Sequence, residues 1–295
     1  MTGIIPLNKE ENITSFFAVN KVRRIVCEKK AGHTGTLDPN ATGVLPIALG
    51  GATRFIELLP THKKAYKATF KTGVTTDTLD IWGEVTGTCE KQVTFEEVEK
   101  AILSFKGEIM QLPPMYSALK KDGVRLYELA RQGKEVEREP RKCEIYELLV
   151  GECENGEFSL YCECSAGTYI RTLISDIGDV LGTGAVMTSL KRVYACGVTL
   201  TECFTLAELS KLQEKGEIEK AIIPVEKLLE DYPALTVTDN QAVRFKNGGD
   251  LMSDRVKGLK TFGLYRVYGK GKFLGIGEYA EGSESLKVKR VYNEM

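Results

Sequence analysis

Residues 31–54 read AGHTGTLDPNATGVLPIALGGATR, a stretch in which five glycines surround one carboxylate, that of Asp38. The stretch has neither the GxxxxGK(S/T) pattern of a P-loop nor the GxGxxG pattern of a dinucleotide-binding loop, so its glycines serve another purpose. Pro39 disfavours helical geometry at Asp38, and we expect a loop that presents the carboxylate. From these residues alone, the commoner interpretation is an Asx-type turn that the carboxylate itself closes.

The composition is that of an ordinary globular protein. Of its 295 residues, 42% are hydrophobic and 27% charged, enough for a sizeable core and, by length, for about two domains. We find no run of 18 apolar residues and no charged-then-apolar leader at Met1, and therefore expect neither a membrane-spanning, a secreted nor a disordered protein. The net charge is -1, so a polyanion would have to be bound by local basic patches.

Charge alternates along the chain. Residues 1–77 carry 11 basic and 6 acidic side chains, and the segments 112–142 and 236–295 are also net positive. Residues 143–189 carry 8 acidic side chains and a single basic one, Arg171. The alternation fits both an ordinary solvated surface and a neutral protein that binds phosphates along one face, and charge alone does not separate the two.

Strand and helix signals alternate over the first two thirds of the chain. Thr14 or Ser15 begins a helix rich in basic side chains, and the run around Tyr66 alternates as a half-buried strand that places Tyr66 and Ala68 on one face. The other signals are two capping boxes, an alternating apolar strand and a helix that ends before a glycine: Thr94 with Glu97, Thr205 with Glu208, Phe158 to Cys164, and Ile170 to Leu181 before Gly182.

After Pro233 the elements become short. They are a helix from Asp239 to Asn247 stopped by Gly248-Gly249, strands at 262–268 and 272–279 around Gly269-Lys270-Gly271, and a last strand ending at Tyr292. We predict a compact, basic, mostly β module of roughly 60 residues, near the low end of independently stable size. The domain boundary is placed near Tyr232.

The cysteines do not form a recognisable framework. They are scattered without a CxxC pair, and the histidines His33 and His62 are isolated from them in sequence. The eight are Cys27, Cys89, Cys143, Cys153, Cys162, Cys164, Cys196 and Cys203. We predict reduced thiols, a cytoplasmic protein and no structural metal.

The stretch GHTGTLDPNATGVLPIALGGATR resembles the signature of the bacterial tRNA pseudouridine(55) synthases, the TruB family. Further similar segments follow in order and, with the signature, cover most of residues 1–205: KAYKATFKTGVTTDTLD (64–80), PPMYSALKKDGVRLYELARQG (113–133), SAGTYIRTLISDIGDVLGTGA (165–185) and SLKRVYACG (189–197). The tail, with NGGDL (247–251), FLGIGEY (273–279) and LKVKRVY (286–292), is similar to a PUA module, on weaker motifs.

The resemblance implies an α+β fold with a pseudouridine-synthase-type mixed, largely antiparallel sheet flanked by helices, and a small PUA-like pseudo-barrel. The catalytic domain would be 1–232 and the RNA-binding module 233–295. The implied activity is isomerisation of uridine 55 in the T loop of tRNA, with no cofactor or metal. The implied partner is the T arm of tRNA, with no DNA and no membrane, and we predict a monomer.

Carried over position by position, the resemblance makes Asp38 the catalytic nucleophile, attacking either the ribose C1′ or the uracil C6. Its carboxylate must be ionised, which calls for an opposite charge nearby, and Arg171 matches the family residue that supplies it. Tyr66 would stack on the flipped uracil, and Leu190 would pack near it. Tyr169 would line the pocket. From the residues alone, the preferred interpretation is that Tyr66 is an ordinary aromatic on a buried strand face and Leu190 an ordinary core leucine.

His33 corresponds to a family histidine that replaces the flipped base by stacking, which makes it a recognition residue and not an acid or base. For Asp77 and Asp80, three interpretations stay open: a helix cap, a loop turn, or orientation of Arg171 or RNA. The remaining candidates are phosphate contacts, provided that they share a face with Asp38: Lys21, Arg23, Arg24, Lys29, Lys30, Lys63, Lys64, Lys120, Lys121, Lys191 and Arg192.

One stretch departs from the family pattern. Where the family has lysine, proline, any residue, glycine and then serine, residues 9–15 read KEENITS, so that Lys9 is kept but the proline and glycine are missing. We expect slower or differently tuned catalysis. The competing hypotheses are an RNA-binding or RNA-folding protein without catalysis and a glycosidase-like hydrolase, for which no flanking pair of carboxylates is identified.

Overall fold

The computed structural model describes residues 1–154 and 156–293, of which the side chains at 152–154 are left out. The strands are β1 (Gly3–Lys9), β2 (Ala31–His33), β3 (Thr42–Leu49), β4 (Lys63–Thr72), β5 (Val74–Thr76), β6 (Val85–Thr88), β7 (Gly107–Gln111), β8 (Lys120–Lys121), β9 (Val124–Arg125), β10 (Arg141–Glu154), β11 (Glu157–Ser165), β12 (Ala185–Ala195), β13 (Val198–Thr199), β14 (Ala234–Thr236), β15 (Leu251–Met252), β16 (Gly263–Gly269), β17 (Lys272–Tyr279) and β18 (Ser285–Val291). The helices are α1 (Ser15–Ile25), α2 (Phe95–Leu103), α3 (Leu126–Ala130), α4 (Ile170–Leu181), α5 (Leu206–Glu214) and α6 (Asp239–Lys246), and short 3-10 helices occupy Gly50–Leu58, Leu200–Glu202, Ile218–Ala221, Val225–Leu229 and Ser253–Arg255.

Within the described ranges the larger sheet has nine strands. Their order is β1-β3-β12-β4-β11-β10-β7, with β2 beside β3 and β13 beside β12. The β12–β3 pair is parallel and the other neighbours are antiparallel. The prediction of a mixed, largely antiparallel sheet is therefore confirmed. The parallel pair brings the strand that follows α4 next to the strand that follows the Asp38 loop.

Alternation along β4 separates the two faces of this sheet. Tyr66, Ala68 and Phe70 are buried in a core that includes Leu173 and Ile177 of α4. Lys67 is exposed on the opposite face. Because successive side chains of a strand point to opposite faces, this core face and the lysine-bearing face are fixed by the same ten residues of sequence.

The helix ends follow the predicted chemistry. Thr14 caps α1 by accepting a hydrogen bond from the Phe17 amide, at 3.0 Å. The capping boxes that open α2 and α5 are both present. Gly182, just beyond α4, has φ 67°, a left-handed conformation that glycine adopts without strain. These local predictions are confirmed.

A smaller sheet, ordered β14-β16-β17-β18-β15, forms the C-terminal part of the chain. Its hairpin turns at Lys270 and Gly271, both with positive φ. The expected mostly β tail is confirmed. It also packs on the larger part, since the ring of Phe55 lies 5.9 Å from that of Phe273 and 6.0 Å from that of Tyr292.

Seven cysteines are free in the described part of the chain, as predicted, and the side chain of Cys153 lies outside the described residues. Cys143, Cys162, Cys164 and Cys196 are buried and pack as small apolar side chains. Among the helices described, we find none with both the length and the apolar character that crossing a bilayer requires.

Candidate active site around Asp38

Asp38 lies in the loop between β2 and β3. Its backbone carbonyl accepts a hydrogen bond from the Ala41 amide at 3.1 Å, which closes the turn that follows. The carboxylate does not close this turn, so the Asx-type interpretation is wrong. The side chain instead reaches Arg171, with its Oδ2 3.0 Å from Nη2, and 43% of it remains exposed to solvent.

The residues on both sides of Asp38 are bound by the ends of other elements. Ser15 Oγ, at the start of α1, donates to the Leu37 carbonyl and accepts from the Leu37 amide, both at 2.9 Å. Lys9 Nζ, at the end of β1, donates to the Pro39 carbonyl at 2.9 Å. The lysine is fully buried, and burial lowers its pKa to about 8. Lys9 and Ser15 thus hold the loop from behind, a role that sequence reasoning did not assign to them individually.

Arg171 is held in place by hydrogen bonds to the backbone as well as by its ion pair with Asp38. It lies in the first turn of α4 with only 6% of its side chain exposed. Its guanidinium donates to the carbonyls of Thr78 and Tyr116, both at 2.8 Å. A planar guanidinium bound along two edges is fixed in orientation, so the charge it presents to Asp38 has a defined position.

A second carboxylate shares this guanidinium. Asp80 Oδ2 lies 3.7 Å from Arg171 Nη1, and Asp80 Oδ1 accepts from the Thr78 hydroxyl at 2.7 Å. Burial raises the pKa of Asp80. Asp80 contacts Arg171 and also closes a loop turn, since its Oδ1 accepts from the Trp82 amide at 3.3 Å, so two of the three interpretations have a contact in the structure. Asp77 instead closes a loop, since its carboxylate accepts from the Glu84 amide at 2.8 Å.

Tyr66 and Leu190 lie on one face of adjacent strands, since Leu190 is the register partner of Ala68, two residues from Tyr66. Tyr66 is 7% exposed, and burial raises its pKa. Leu190 is half-buried against the main core. The ring of Tyr66 and the side chain of Leu190 therefore form an apolar wall on the core face of the sheet.

Tyr169 is the residue that precedes α4, two positions before Arg171. Its amide donates to Gln111 Oε1 at 2.7 Å, and Gln111 Nε2 donates back to its carbonyl at 3.0 Å. Burial raises the pKa of Tyr169, and the Asp38 charge adds to the rise, so its hydroxyl lies within electrostatic reach of the carboxylate. Buried Gln111, which has no sequence signature, anchors this corner.

His33 is half-buried on β2, where it pairs with Ile47 of β3. Burial lowers its pKa, and the positive charge of Arg192 lowers it further. A histidine with a pKa below its ordinary value carries a neutral ring at pH 7. This agrees with a ring that stacks and does not act as an acid.

Two of the candidate phosphate contacts are buried or half-buried. Arg192 is 1% exposed, and its guanidinium donates to backbone carbonyls, so the prediction of a phosphate contact is wrong for it. Lys64 is half-buried, and burial lowers its pKa to about 8. The signal for Arg192 was available in the sequence, because strand alternation places it on the same face as Leu190.

Lys191 lies across the sheet from the site. Its register partner is Lys67, on the exposed face of β4. The two lysines line a groove of about 520 Å³ with Leu149 and Tyr161. Lys191 therefore does not share a face with Tyr66, so the condition on which it was expected to contact phosphates beside Asp38 is not met.

The other basic candidates vary in exposure. Lys63 is paired with Glu163, and half-buried Arg23 donates to Asn20. The exposed members of the set are Lys21, Arg24, Lys29, Lys30, Lys120 and Lys121. The described residues bring together no group of three or more His, Cys, Asp or Glu side chains that could hold a metal ion.

The arrangement presents one half-exposed carboxylate whose far side is fixed by a buried guanidinium. Such a carboxylate can act as a nucleophile or as an electrostatic partner toward a group that enters from solvent. Tyr169 lies within electrostatic reach of it, and Tyr66 and Leu190 lie on the neighbouring strands β4 and β12.

Family models match almost the whole chain. The model described as TruB family pseudouridylate synthase (N terminal domain) matches residues 23–170. The model described as tRNA pseudouridylate synthase B C-terminal domain matches residues 171–230. The model described as Pseudouridine synthase II TruB, C-terminal, matches residues 233–292.

Curated relatives are similar over their full length. A protein of Dechloromonas aromatica (strain RCB) named tRNA pseudouridine synthase B is 43% identical over 280 residues, 95% of this chain and 92% of its own. A protein of the same name from Clostridium perfringens (strain 13 / Type A) is 43% identical over 292 residues, 97% of this chain and 98% of its own.

Solved structures share the fold. The match to a crystal structure of a Cbf5-Nop10-Gar1 complex has a TM-score of 0.77 at 28% identity and covers 99% of this chain and 85% of that one. A structure of an H/ACA RNP bound to a substrate RNA containing 2'-deoxyuridine matches with a TM-score of 0.75 at 26% identity, over 99% and 85% of the two chains.

Proposed function

The chain belongs to the TruB family of pseudouridylate synthases, and from this premise we propose that it converts uridine 55 in the T loop of tRNA to pseudouridine. It is an isomerase, because a pseudouridylate synthase makes pseudouridine from uridine without changing the atoms present. The substrate in the proposal is tRNA, which the shared name of the relatives supports.

One observation carries the proposal for the site. The Asp38 carboxylate is bound on one side by the buried Arg171 guanidinium at 3.0 Å and is 43% exposed on the other. The ion pair fixes the acid while its open side stays accessible to a nucleotide. A structural ion pair would not need this loop held by both Ser15 and Lys9.

In the proposed reaction Asp38 attacks either C1′ of the ribose or C6 of the uracil. In both routes the N1–C1′ bond breaks, the uracil turns in the pocket, and C5 forms the new bond to C1′. C5 then loses its proton and N1 gains one, so that atoms and charge balance and the acid is released unchanged.

The target base must leave the stacked T loop before it can react, at a cost of about a few kcal/mol. We assign Tyr66 to stack on the flipped uracil, with Leu190 and Tyr169 as the remaining walls. His33 takes the place of the base in the loop. Stacking on an aromatic ring contributes about 1–3 kcal/mol per base, which offsets much of the flipping cost.

Phosphate contacts are assigned to the exposed basic residues of α1 and the turn after it, Lys21, Arg24, Lys29 and Lys30. Helix α1 adjoins the site, because Ser15 at its start binds Leu37 beside Asp38. Such contacts would make affinity steeply salt-dependent without reading sequence. The free thiols of the seven described cysteines suit the reducing cytoplasm, where we propose that the protein acts as a monomer.

We further propose that residues 1–232 contain the whole pocket and that 233–295 form a PUA-like module that adds affinity for tRNA. The smaller sheet has its own core, but Phe273 also packs on Phe55. A fragment ending at Tyr232 should therefore have a lower melting temperature, bind tRNA more weakly and retain some turnover. A folded but wholly inactive fragment would contradict this division.

A site-resolved pseudouridine map of transcribed tRNA incubated with the protein tests the assignment. We expect one modified position, uridine 55, and no product there when that position is cytidine. Modification confined to another uridine would overturn the T-loop target, and binding without any product would favour the non-catalytic RNA-binding hypothesis. Release of free uracil would favour the hydrolase.

A further inference from the structure

A second buried guanidinium lies at the root of the Asp38 loop. Arg192 of β12 donates from Nε to the Val44 carbonyl at 2.7 Å. Its two other nitrogens donate to the carbonyls of Gly35, at 3.1 Å, and Thr36, at 3.4 Å. Burying a charged group costs free energy unless its hydrogen bonds are satisfied. The guanidinium of Arg192 is therefore held in place by these three carbonyls.

The bonds of Arg192 join two separate pieces of backbone. Val44 belongs to β3, whereas Gly35 and Thr36 begin the loop that leads to Asp38. Strands β12 and β3 pair in parallel over two positions, one of which joins Arg192 to Gly43. A Cβ at Gly43 would lie 2.2 Å from the Arg192 carbonyl oxygen, which shows how closely the two backbones approach.

The rest of the loop is anchored farther along. Ser15 binds Leu37, and Lys9 binds the Pro39 carbonyl. The carbonyls of Gly35 and Thr36 are bound by Arg192. Without it, Gly35 and Thr36 would lose their link to β3, and the first half of the loop would, within the described residues, be held to that strand only through the Thr34 amide, which donates to the Pro46 carbonyl at 3.2 Å. Asp38 would then sit on a loop whose first half is less firmly anchored than its second.

We propose that Arg192 is a positioning residue that holds the first half of the Asp38 loop against β3 and so sets the place of the Asp38 carboxylate opposite Arg171. This inference deepens the proposed function and rests on it for its effect on rate. The planar fork is essential, because one lysine ammonium cannot span the Val44 carbonyl on one side and Gly35 on the other.

The test compares Arg192→Lys with Lys191→Arg, a matched control at the neighbouring, exposed position on the opposite face. We measure the single-turnover rate of pseudouridine formation, the Kd for tRNA and amide hydrogen exchange. For Arg192→Lys we expect a rate about 10²-fold lower, the loss that a misplacement of roughly 1 Å can cause. The Kd should stay within about threefold, since the contacts to phosphates are unchanged.

Hydrogen exchange supplies the readout that a merely structural role would not produce. In Arg192→Lys the amides of Leu37 and Ala41 should exchange faster, while those of β4 and β11 keep their protection. Unchanged exchange and rate would overturn the proposal. Faster exchange throughout β4 and β11 would do so too, because Arg192 would then support the whole sheet and not the loop.

A measurement on the unmodified protein covers the case in which Arg192→Lys does not fold. The Nε–H proton of Arg192 should exchange slowly with solvent, in contrast to that of exposed Arg24. Equal, fast exchange of the two would mean that Arg192 does not hold Val44. If the unmodified protein makes no pseudouridine at all, the proposed function fails, while both exchange experiments still decide whether Arg192 orders the loop.

Discussion

Arg171 and Arg192 are both buried, but their guanidinium groups bind different kinds of partner. Arg171 lies 3.0 Å from the Asp38 carboxylate and 3.7 Å from that of Asp80. Arg192 donates to the backbone carbonyls of Val44, Gly35 and Thr36. At one end of the site a cation faces acids, one of them open to solvent, and at the other end a cation holds backbone together.

The difference distinguishes an arginine that positions a reactive acid from one that positions the backbone of a loop. A guanidinium that faces carboxylates sets the charge and direction of an acid, and its loss leaves charges unpaired. A guanidinium that faces carbonyls sets the course of a loop, and its loss leaves backbone without partners. Lys9 belongs to the second kind, since its three hydrogen bonds go to the carbonyls of Glu10, Ile13 and Pro39.

The largest effect is expected at the acid itself. Asp38→Asn keeps the shape of the side chain and removes its charge, and we expect the single-turnover rate to fall by about 10⁴-fold or more. The Kd for tRNA should change little. Asp77→Asn is the matched control, because Asp77 lies in the same site region but closes a loop. If the Asp38→Asn protein kept its rate, the carboxylate that Arg171 faces would have no catalytic role, and the contrast between Arg171 and Arg192 would fail.

Loss of the charged partner should come next. Arg171→Met leaves Asp38 and Asp80 without their cation, and we expect a rate about 10²- to 10³-fold lower, the loss seen when one charge-stabilising group is removed. Stability should fall by about 3 kcal/mol, because the carboxylate of Asp80, only 13% exposed, loses its cation. Arg171→Lys should recover part of both. If Arg171→Met and the unmodified protein had equal rates, Arg171 would, like Arg192, serve only to hold backbone in place.

The pH dependence tests the carbonyl-bound cations. The pKa of Lys9 is about 8, lowered by burial and by Arg192 against the raising effects of Asp38 and Glu11. Above pH 8 the folded protein loses the Lys9 proton, and the rate should fall about tenfold per pH unit as its hold on Pro39 weakens.

Stability should move the other way. Between pH 8 and 10.5 the unfolded chain still binds this proton while the folded protein does not, so the contribution of Lys9 to stability rises with pH. Lys9→Arg should shift the alkaline limb of the pH–rate profile to higher pH. Because the pKa of Lys64 is also about 8, Lys64→Arg is the control, and a limb that moves only in that variant would transfer the effect to Lys64.

The smallest effect is expected at Asp80. Asp80→Asn keeps an oxygen for the Thr78 hydroxyl but removes one of the two negative charges that face Arg171. We expect the activation free energy to rise by about 1 kcal/mol, which lowers the rate about fivefold. A double variant with Arg171→Met measures whether Asp80 acts through the arginine. The two effects should not add, and full additivity would assign Asp80 to a separate role.

The local elements were predictable because their causes are local. Thr14, the capping boxes of α2 and α5, and Gly182 after α4 act within one helical turn. The alternation of β4 and β11 likewise follows from the strand period of two. Sequence reasoning also placed Asp38 in a loop, because Pro39 restricts the residue before it.

The placement of cations was less predictable. Arg192 and Lys191 are neighbours, yet one is buried under the Asp38 loop and the other lies on the opposite face of the sheet. Both were candidates for phosphate contact because of their charge, on condition that they share a face with Asp38. Burial is decided by what packs over a position, and the loop that covers Arg192 comes from a distant part of the chain.

The sequence by itself determined helices α1, α2, α4, α5 and α6, the strands around Tyr66 and Phe158 and those of the C-terminal hairpin, the loop that presents Asp38 and, through its motifs, the family. The pairing of Asp38 with Arg171 was expected from the family resemblance, and only the tertiary structure decided that Asp80 shares this arginine and that Arg192 turns inward to backbone carbonyls. The physical reason is one of range. Caps and periodicity act over a few bonds, whereas the partner of a buried charge is set by the packing of segments far apart in the chain.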